Sequence, residues 1–530
     1  MPGRDKIPQT AECRAMIVSP HGLASEAGAR VLQSGGNAVD AAVAAAAVLA
    51  VTFPHFCGIG GDAVWLLSDA SGQVKCLLGI GQATKAANPS TPIPLRGPGS
   101  TLTTACAVDS WQAALDFAAG NWGNARNLGE LLQPAIELAQ RGFPLTRSQR
   151  YWLDFRESET CGWPGFENIF TPVGRKPEVG QNFRQPHLAQ SIEAIARHGA
   201  REFYEGELAR RIIAGLSQAG SPISTEDLAT TRTRIEDAVS IDYRGLTLHA
   251  PPPPTQGLAT LATMGLIGQF ESAGWQESGT DHFHFVVESI KRAFLLRDTI
   301  ADPEFADDRM FAMIDDGWIA RQARSIRPGL AMAWPSSLRT ADTVFLAVRD
   351  AAGNCVSMLQ SIYFDWGSGV IVGDTGILWQ NRGSAFASNP QHPNFIQPGK
   401  RPFYTLNPGL ATMAGSPRLL YGTQGADGQP QTLAMLLTRL IDFGLSPVDA
   451  LSGPRFLLGR TFSDQTDSLK VEAHAGETVL GELARRGHEV ATLERHSPLA
   501  GLAGVIRINA NGAIDGAHDP RGEGTALGVG

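Results

Sequence analysis

The chain has 530 residues, 43% hydrophobic and 18% charged, which supplies ample material for a core and excludes a disordered chain. A formal net charge of −8, with no long basic run, excludes a nucleic-acid surface. The six cysteines Cys13, Cys57, Cys76, Cys106, Cys161 and Cys355 are scattered, without a CxxC or a His-rich partner, so neither a zinc site nor a disulfide framework is expected.

Length alone allows roughly two to four domains. Met1 to Lys6 lacks the charged-then-apolar order of a secretory signal, so a cytoplasmic protein is expected. Between Ser25 and Ala50 the pattern is helical and breaks at Gly35-Gly36-Asn37, which predicts two helices. The apolar run Ala38 to Phe53 carries Asp40 and is shorter than the ~20 residues of a membrane span, so it reads as a core helix. Gly58-Ile59-Gly60-Gly61-Asp62 leads into the strand-like Ala63 to Leu67. A phosphate loop leads from a strand into a helix, so these glycines are read as close backbone packing.

Helices are predicted over Gly129–Arg141, Leu188–His198 and Leu208–Ala219, with Gly142 and Gly220 as stops. Pro251 to Pro254 excludes regular structure, and Thr255-Gln256-Gly257 opens a helix over Leu258–Ile267. A further helix over His282–Asp298 carries His282, His284, Glu288 and Arg292. The two histidines are two residues apart and face differently, so they are not read as metal ligands. Ser325 to Thr340 loses periodicity and is expected to be exposed and mobile. Further on, Leu433–Phe443 and Glu477–Gly487 read as helices and Ala503–Ile508 as a strand.

The most informative stretch runs from Thr340 to Gly369. Asp342 precedes Thr343, which opens the β-branched and aromatic run Val344 to Val348. Ala351-Ala352-Gly353-Asn354 suits a reversal, and Val356 to Tyr363 reads as the return arm of a hairpin. Downstream come Gly367-Ser368-Gly369, Thr375-Gly376-Ile377-Leu378, Pro398-Gly399-Lys400-Arg401-Pro402 and Gly422-Thr423-Gln424-Gly425-Ala426.

These ordered blocks resemble the γ-glutamyltransferase family. The resemblance implies a four-layer αββα sandwich of the N-terminal-nucleophile hydrolases, an α/β fold with two stacked, mainly antiparallel sheets. It also implies a proenzyme that cuts itself between Asp342 and Thr343. A large chain of residues 1–342 and a small chain of residues 343–530 would then stay associated as one intertwined domain. Thr343 matches the family's nucleophile, Gly425 and Ala426 its oxyanion pair, and Ser361 the hydroxyl residue that orients the nucleophile; a solvent-facing strand Ser is the other reading of Ser361.

The chemistry asks for these parts. A Thr hydroxyl is a poor nucleophile until a base takes its proton, and a freed α-amino group, of reference pKa about 7.7–8.0, supplies that base. Backbone N–H groups of a Gly-rich turn stabilise the oxyanion that forms. No metal or other cofactor is called for.

The substrate handles differ from those of γ-glutamyl enzymes. Gly81 stands where the family has an Arg for the glutamyl carboxylate, and Ala385 where it has an Asp for the amino group. Arg382 appears in Gln380-Asn381-Arg382-Gly383, and Tyr404-Thr405 replaces a pair of serines. Arg382, Tyr363, Tyr404, Thr405 and Gly81 are therefore the candidate substrate-binding positions, with a structural ion pair as the other reading of Arg382. An Arg near the nucleophile without a carboxylate for an ammonium suits a short amide that bears its own carboxylate. Within the family the match implies hydrolysis of oxamate to oxalate and ammonia in purine-nitrogen use. A small carboxylated amide is the expected partner, with neither nucleic acid nor membrane; a homo-oligomer is left open. The alternatives are a γ-glutamyl hydrolase or transpeptidase acting on glutathione, a non-catalytic binding relative, and a serine triad on His518-Asp519. The last lacks a GxSxG elbow.

Overall fold

A computed structural model describes residues 13–88, 92–160, 162–334, 343–459 and 466–530. Met1 to Lys6, Cys161, residues 335–340 of the stretch Ser325 to Thr340, and Asp342 lie outside the described residues.

Two antiparallel sheets form the centre. The first has seven strands, in the order Thr525–Val529, Ala15–Ser19, Val344–Arg349, Cys355–Ser361, Asp62–Ser68, Val74–Gly79 and Arg234–Asp237. The second has six, in the order Ile514–His518, Ala503–Ile508, Ser416–Thr423, Gly409–Met413, Leu246–Ala250 and Val239–Tyr243.

Side-chain alternation explains the layering. Phe345 and Ala347, with Val64, Leu66, Cys76 and Leu78, pack between the sheets against Leu410, Leu420 and Ile506. Their strand neighbours Val344, Leu346 and Val348 point the other way, into a core built with the fully buried helix Ala38–Thr52. On the far side, the second sheet packs against Gly257–Ile267, Thr280–Ala293 and Gln429–Ile441. Helix, sheet, sheet and helix give the expected αββα sandwich. The sheets approach closely at Gly422, where a Cβ would lie 2.1 Å from the Phe345 ring.

The hairpin is fixed to the helical layer at its turn. Asp350 Oδ2 accepts the Ala38 N–H at 3.0 Å, and Oδ1 accepts the Asn354 N–H at 2.9 Å. Asn37 and Asp40 form a capping box at the start of the same helix, as the break at Gly35-Gly36-Asn37 requires. Among the described residues, no helix is long and apolar enough to cross a membrane.

Four expectations need correction. The pattern over Gly129–Arg141 is divided into Leu128–Leu131 and Gln133–Arg141, because Pro134 lies in the first turn of the second helix. The helix expected to reach Asp298 ends at Ala293, and the chain turns so that Arg297 pairs with Asp427 and stacks on Phe403 at 4.7 Å. The return arm of the hairpin ends at Ser361; Tyr363, with φ of 81°, has left the strand. Finally, residues 326–334 are tethered although partly exposed: Glu288 accepts the Met332 N–H at 3.1 Å, and His284 lies 2.8 Å from the Arg327 carbonyl. His282 and His284 do diverge, towards Thr438 and His488 respectively.

Candidate active site

Thr343 stands immediately before the strand Val344–Arg349 and is buried. Its hydroxyl donates to the Gln360 carbonyl at 2.7 Å, across the hairpin. Gln360 is itself held from the helical side, where Trp111 Nε1 donates to its Oε1 at 3.0 Å. Ser361 is buried, not solvent-facing, and its Oγ accepts the Tyr363 N–H at 2.8 Å.

From Tyr363 the chain follows a path that bulky residues rarely adopt: φ is 81° at Tyr363 and 58° at Trp366. Asp365, fully buried, holds this loop in place. It receives Arg156 Nε at 2.6 Å and Arg96 Nη2 at 2.8 Å. Tyr363 and Phe364 stack with centroids 4.4 Å apart, and Ala426 and Ala385 pack against them. The turn expected to carry the oxyanion donors thus adjoins the loop that leaves the hairpin. Gly425 has φ of 118° and Ala426 of 44°. Among the described residues, neither N–H donates a backbone hydrogen bond.

Gln256 ties this turn to the Tyr404-Thr405 segment. Its Nε2 donates to the Ala426 carbonyl at 2.6 Å and to the Thr405 carbonyl at 2.8 Å.

Arg382 is fully buried between two aromatic rings, its guanidinium carbon 3.8 Å from the Tyr363 centroid and 3.8 Å from the Tyr404 centroid. Among the described residues, its Nε, Nη1 and Nη2 have no hydrogen-bond partner, while Asp62 and Asp427 act on it electrostatically. Burial pushes its pKa down to about 10, so it stays a cation at neutral pH. A buried cation with five N–H donors and both faces covered presents its edge to an anion.

Gly81 offers no side chain and has no room for one: a Cβ there would lie 1.8 Å from the Thr104 carbonyl oxygen. Its N–H donates to Asp62 Oδ1 at 3.0 Å. Asp62 also receives the Tyr404 hydroxyl, and burial pushes its carboxyl up to about 7.

Sequence reasoning brought together Thr343, Ser361, Tyr363, Arg382, Tyr404, Thr405, Gly425 and Ala426. It missed Asp62, Gln256 and the Asp365 anchor. Asp62 had a signal: a carboxylate directly ahead of the apolar run Ala63 to Leu67 must be buried and therefore partnered. Of His518 and Asp519, the alternative weighed for a serine triad, Asp519 is engaged by other partners, and His518 Nδ1 has no hydrogen-bond partner among the described residues. Asp519 accepts the Ala503 N–H at 2.8 Å and pairs with Arg521 and Arg455.

Comparison with known proteins follows the same lines. Residues 24–529 match the family model Gamma-glutamyltranspeptidase. The chain is 39% identical over 525 residues to the glutathione hydrolase-like YwrD proenzyme of Bacillus subtilis, covering 97% of this chain and 98% of the relative. It is also 39% identical over 519 residues to the oxamate amidohydrolase proenzyme of Klebsiella pneumoniae, with the same coverage. A crystal structure of cephalosporin acylase from Bacillus halodurans superposes with a TM-score of 0.90 at 30% identity, over 100% of this chain and 99% of that one.

Proposed function

Because the chain belongs to the gamma-glutamyltranspeptidase family, we propose that it is a self-processing amide hydrolase whose substrate is a short amide carrying a carboxylate beside the scissile carbonyl, oxamate being the simplest. The observation that carries this reading is Arg382, buried between Tyr363 and Tyr404 with no acceptor among the described residues. A buried, unpaired cation is costly, and a ligand carboxylate offsets that cost with two parallel hydrogen bonds.

In the proposed maturation, the Thr343 hydroxyl attacks the carbonyl of Asp342. The acyl group passes from nitrogen to oxygen, and water hydrolyses the resulting ester. Two chains, 1–342 and 343–530, result, with a carboxylate on Asp342 and an α-amino group on Thr343.

In the proposed turnover, that amino group takes the hydroxyl proton as the oxygen attacks the amide carbon. The N–H groups of Gly425 and Ala426 receive the oxyanion. Collapse breaks the C–N bond, and the proton leaves with ammonia. Water then cleaves the acyl ester to release oxalate and restore Thr343. Ser361 orients this arrangement through the Tyr363 N–H that it accepts. The Gln256 bridge keeps the oxyanion turn and the Tyr404-Thr405 segment in one register.

Glutathione is the second reading, favoured by the YwrD relative at the same identity. Its γ-glutamyl group carries an ammonium, and Ala385, which packs against Tyr363, Phe364 and Ala426, brings no carboxylate of its own to meet one. Ammonia release from oxamate by purified, matured protein tests the first reading, with Thr343→Ala as control. Release of glutamate from a γ-glutamyl anilide, without ammonia from oxamate, would transfer the protein to the second.

A further inference from the structure

Asp62 is the first residue of the strand Asp62–Ser68 and faces Ser361 across the ladder with Cys355–Ser361. A buried carboxylate is tolerated when its lone pairs are met. Here Oδ1 accepts the N–H of Gly81 at 3.0 Å and of Cys106 at 2.8 Å, and Oδ2 accepts the Tyr404 hydroxyl. A phenol has one proton to give. Tyr404 lies 3.4 Å from Gln380 Oε1 as well, but its contact with Asp62 Oδ2 is the shorter one, and Asp62 takes that proton.

The placement matters because the same phenol ring is one jaw on Arg382, 3.8 Å from the guanidinium carbon. Tyr363, the other jaw, is fixed from its own side by Ser361 Oγ. With both faces covered, the edge that a carboxylate meets is set by the tilt of the two rings. Arg382 and the Cys106 thiol lie in the field of Asp62, and Tyr363 and Asp427 also act on Arg382. Bidentate recognition has a narrow angular tolerance, so a small rotation of Tyr404 is felt at the ligand.

Resting on the reading of Arg382 as carboxylate receptor, we infer that Asp62 is a positioning residue for it: by taking the Tyr404 hydroxyl proton, it holds the phenol ring against Arg382 and sets the specificity for a planar carboxylate. Asp62 is engaged by Gly81, Cys106 and Tyr404 and would act on the ligand through Tyr404 and Arg382. Its effect therefore falls on substrate binding more than on acyl transfer.

The test uses matured protein and steady-state kinetics with oxamate for Asp62→Asn, Tyr404→Phe, the double variant and Arg382→Ala. Asp62→Asn and Tyr404→Phe should each raise KM about tenfold or more, the loss of one hydrogen bond to a charged group, while kcat stays within about threefold. The double variant should be no worse than the worse single one, because both remove one bond. Wild-type KM in both single variants, additive effects in the double, or a loss confined to kcat would overturn the inference. If Arg382→Ala raises KM while Tyr404→Phe does not, the receptor stands and the role of Asp62 falls. If Arg382→Ala keeps wild-type KM, the receptor reading itself falls. Should Asp62→Asn fail to mature, Tyr404→Phe, which deletes only the hydroxyl, decides alone.

Discussion

The hydroxyl of Thr343 donates to the main-chain carbonyl of Gln360 at 2.7 Å, across the hairpin that both strands build. The proposed nucleophile is therefore placed by sheet register and not by a mobile loop. Its proton is engaged by a carbonyl, which cannot remove it. Activation needs a base, and in the proposed mechanism that base comes into being only when the peptide bond before Thr343 is cut.

Thr343→Ala should accumulate as a single full-length chain, whereas Thr343→Ser, which keeps a hydroxyl, should still split. A denaturing gel and N-terminal sequencing of the smaller fragment check this. A fragment of Thr343→Ala starting at residue 343 would place the cutting group elsewhere.

Arg382→Lys keeps the charge and loses the planar fork. It should reduce kcat/KM for oxamate about 100-fold or more, as expected when two charge-assisted hydrogen bonds become one flexible contact. Steady-state kinetics with ammonia detection reads the change.

Gly81→Arg does not restore a glutamyl handle. Its Cβ would collide with the Thr104 carbonyl oxygen at 1.8 Å, which is backbone and cannot swing aside. The substitution should also disturb the N–H that Gly81 gives to Asp62. Soluble yield and melting temperature should both fall, by more than for a surface Gly→Arg change. Wild-type melting would show that the segment around Gly81 shifts freely.

Burial holds the Asp62 carboxyl at about 7, against 3.8 for an unperturbed Asp. Between those values the folded protein binds a proton that the unfolded chain has released. The contribution of Asp62 to stability is therefore highest below the unfolded value and declines as pH rises through that window. Asp62→Asn lacks this titration, so its stability relative to wild type should rise with pH from about 4 to about 7 and then level. Paired denaturant titrations across pH measure the difference. A flat difference would mean that Asp62 ionises in the folded protein as readily as in the unfolded chain.

Much of this architecture was legible in sequence because periodicity reports burial directly. Val344 to Val348 is a β-branched and aromatic run, and Ala38 to Phe53 is an apolar run too short to span a membrane, which read as a strand and a core helix; the structure sends alternate residues of that strand into two cores. The Asn37 cap and the Gly425 turn carry local chemistry that sequence states openly. What sequence concealed was made by tertiary contact. Nothing around Arg297 says that the helix from Thr280 must end early so that Arg297 can reach Asp427. Nothing around Tyr404 says that its hydroxyl meets a carboxylate 342 residues away. Gly81 was read as a lost side chain, whereas its backbone N–H is what the site uses.

The most direct test compares kcat/KM for oxamate and glutathione on the same preparation of matured protein. In the proposed site the buried cation lies between two phenol rings and Ala385 brings no carboxylate for an ammonium, so oxamate should be favoured by at least about 100-fold, since an unpaired buried charge costs several kcal/mol. Preference for oxamate with ammonia as product is the predicted result. A higher kcat/KM for glutathione, with glutamate released, would contradict the account.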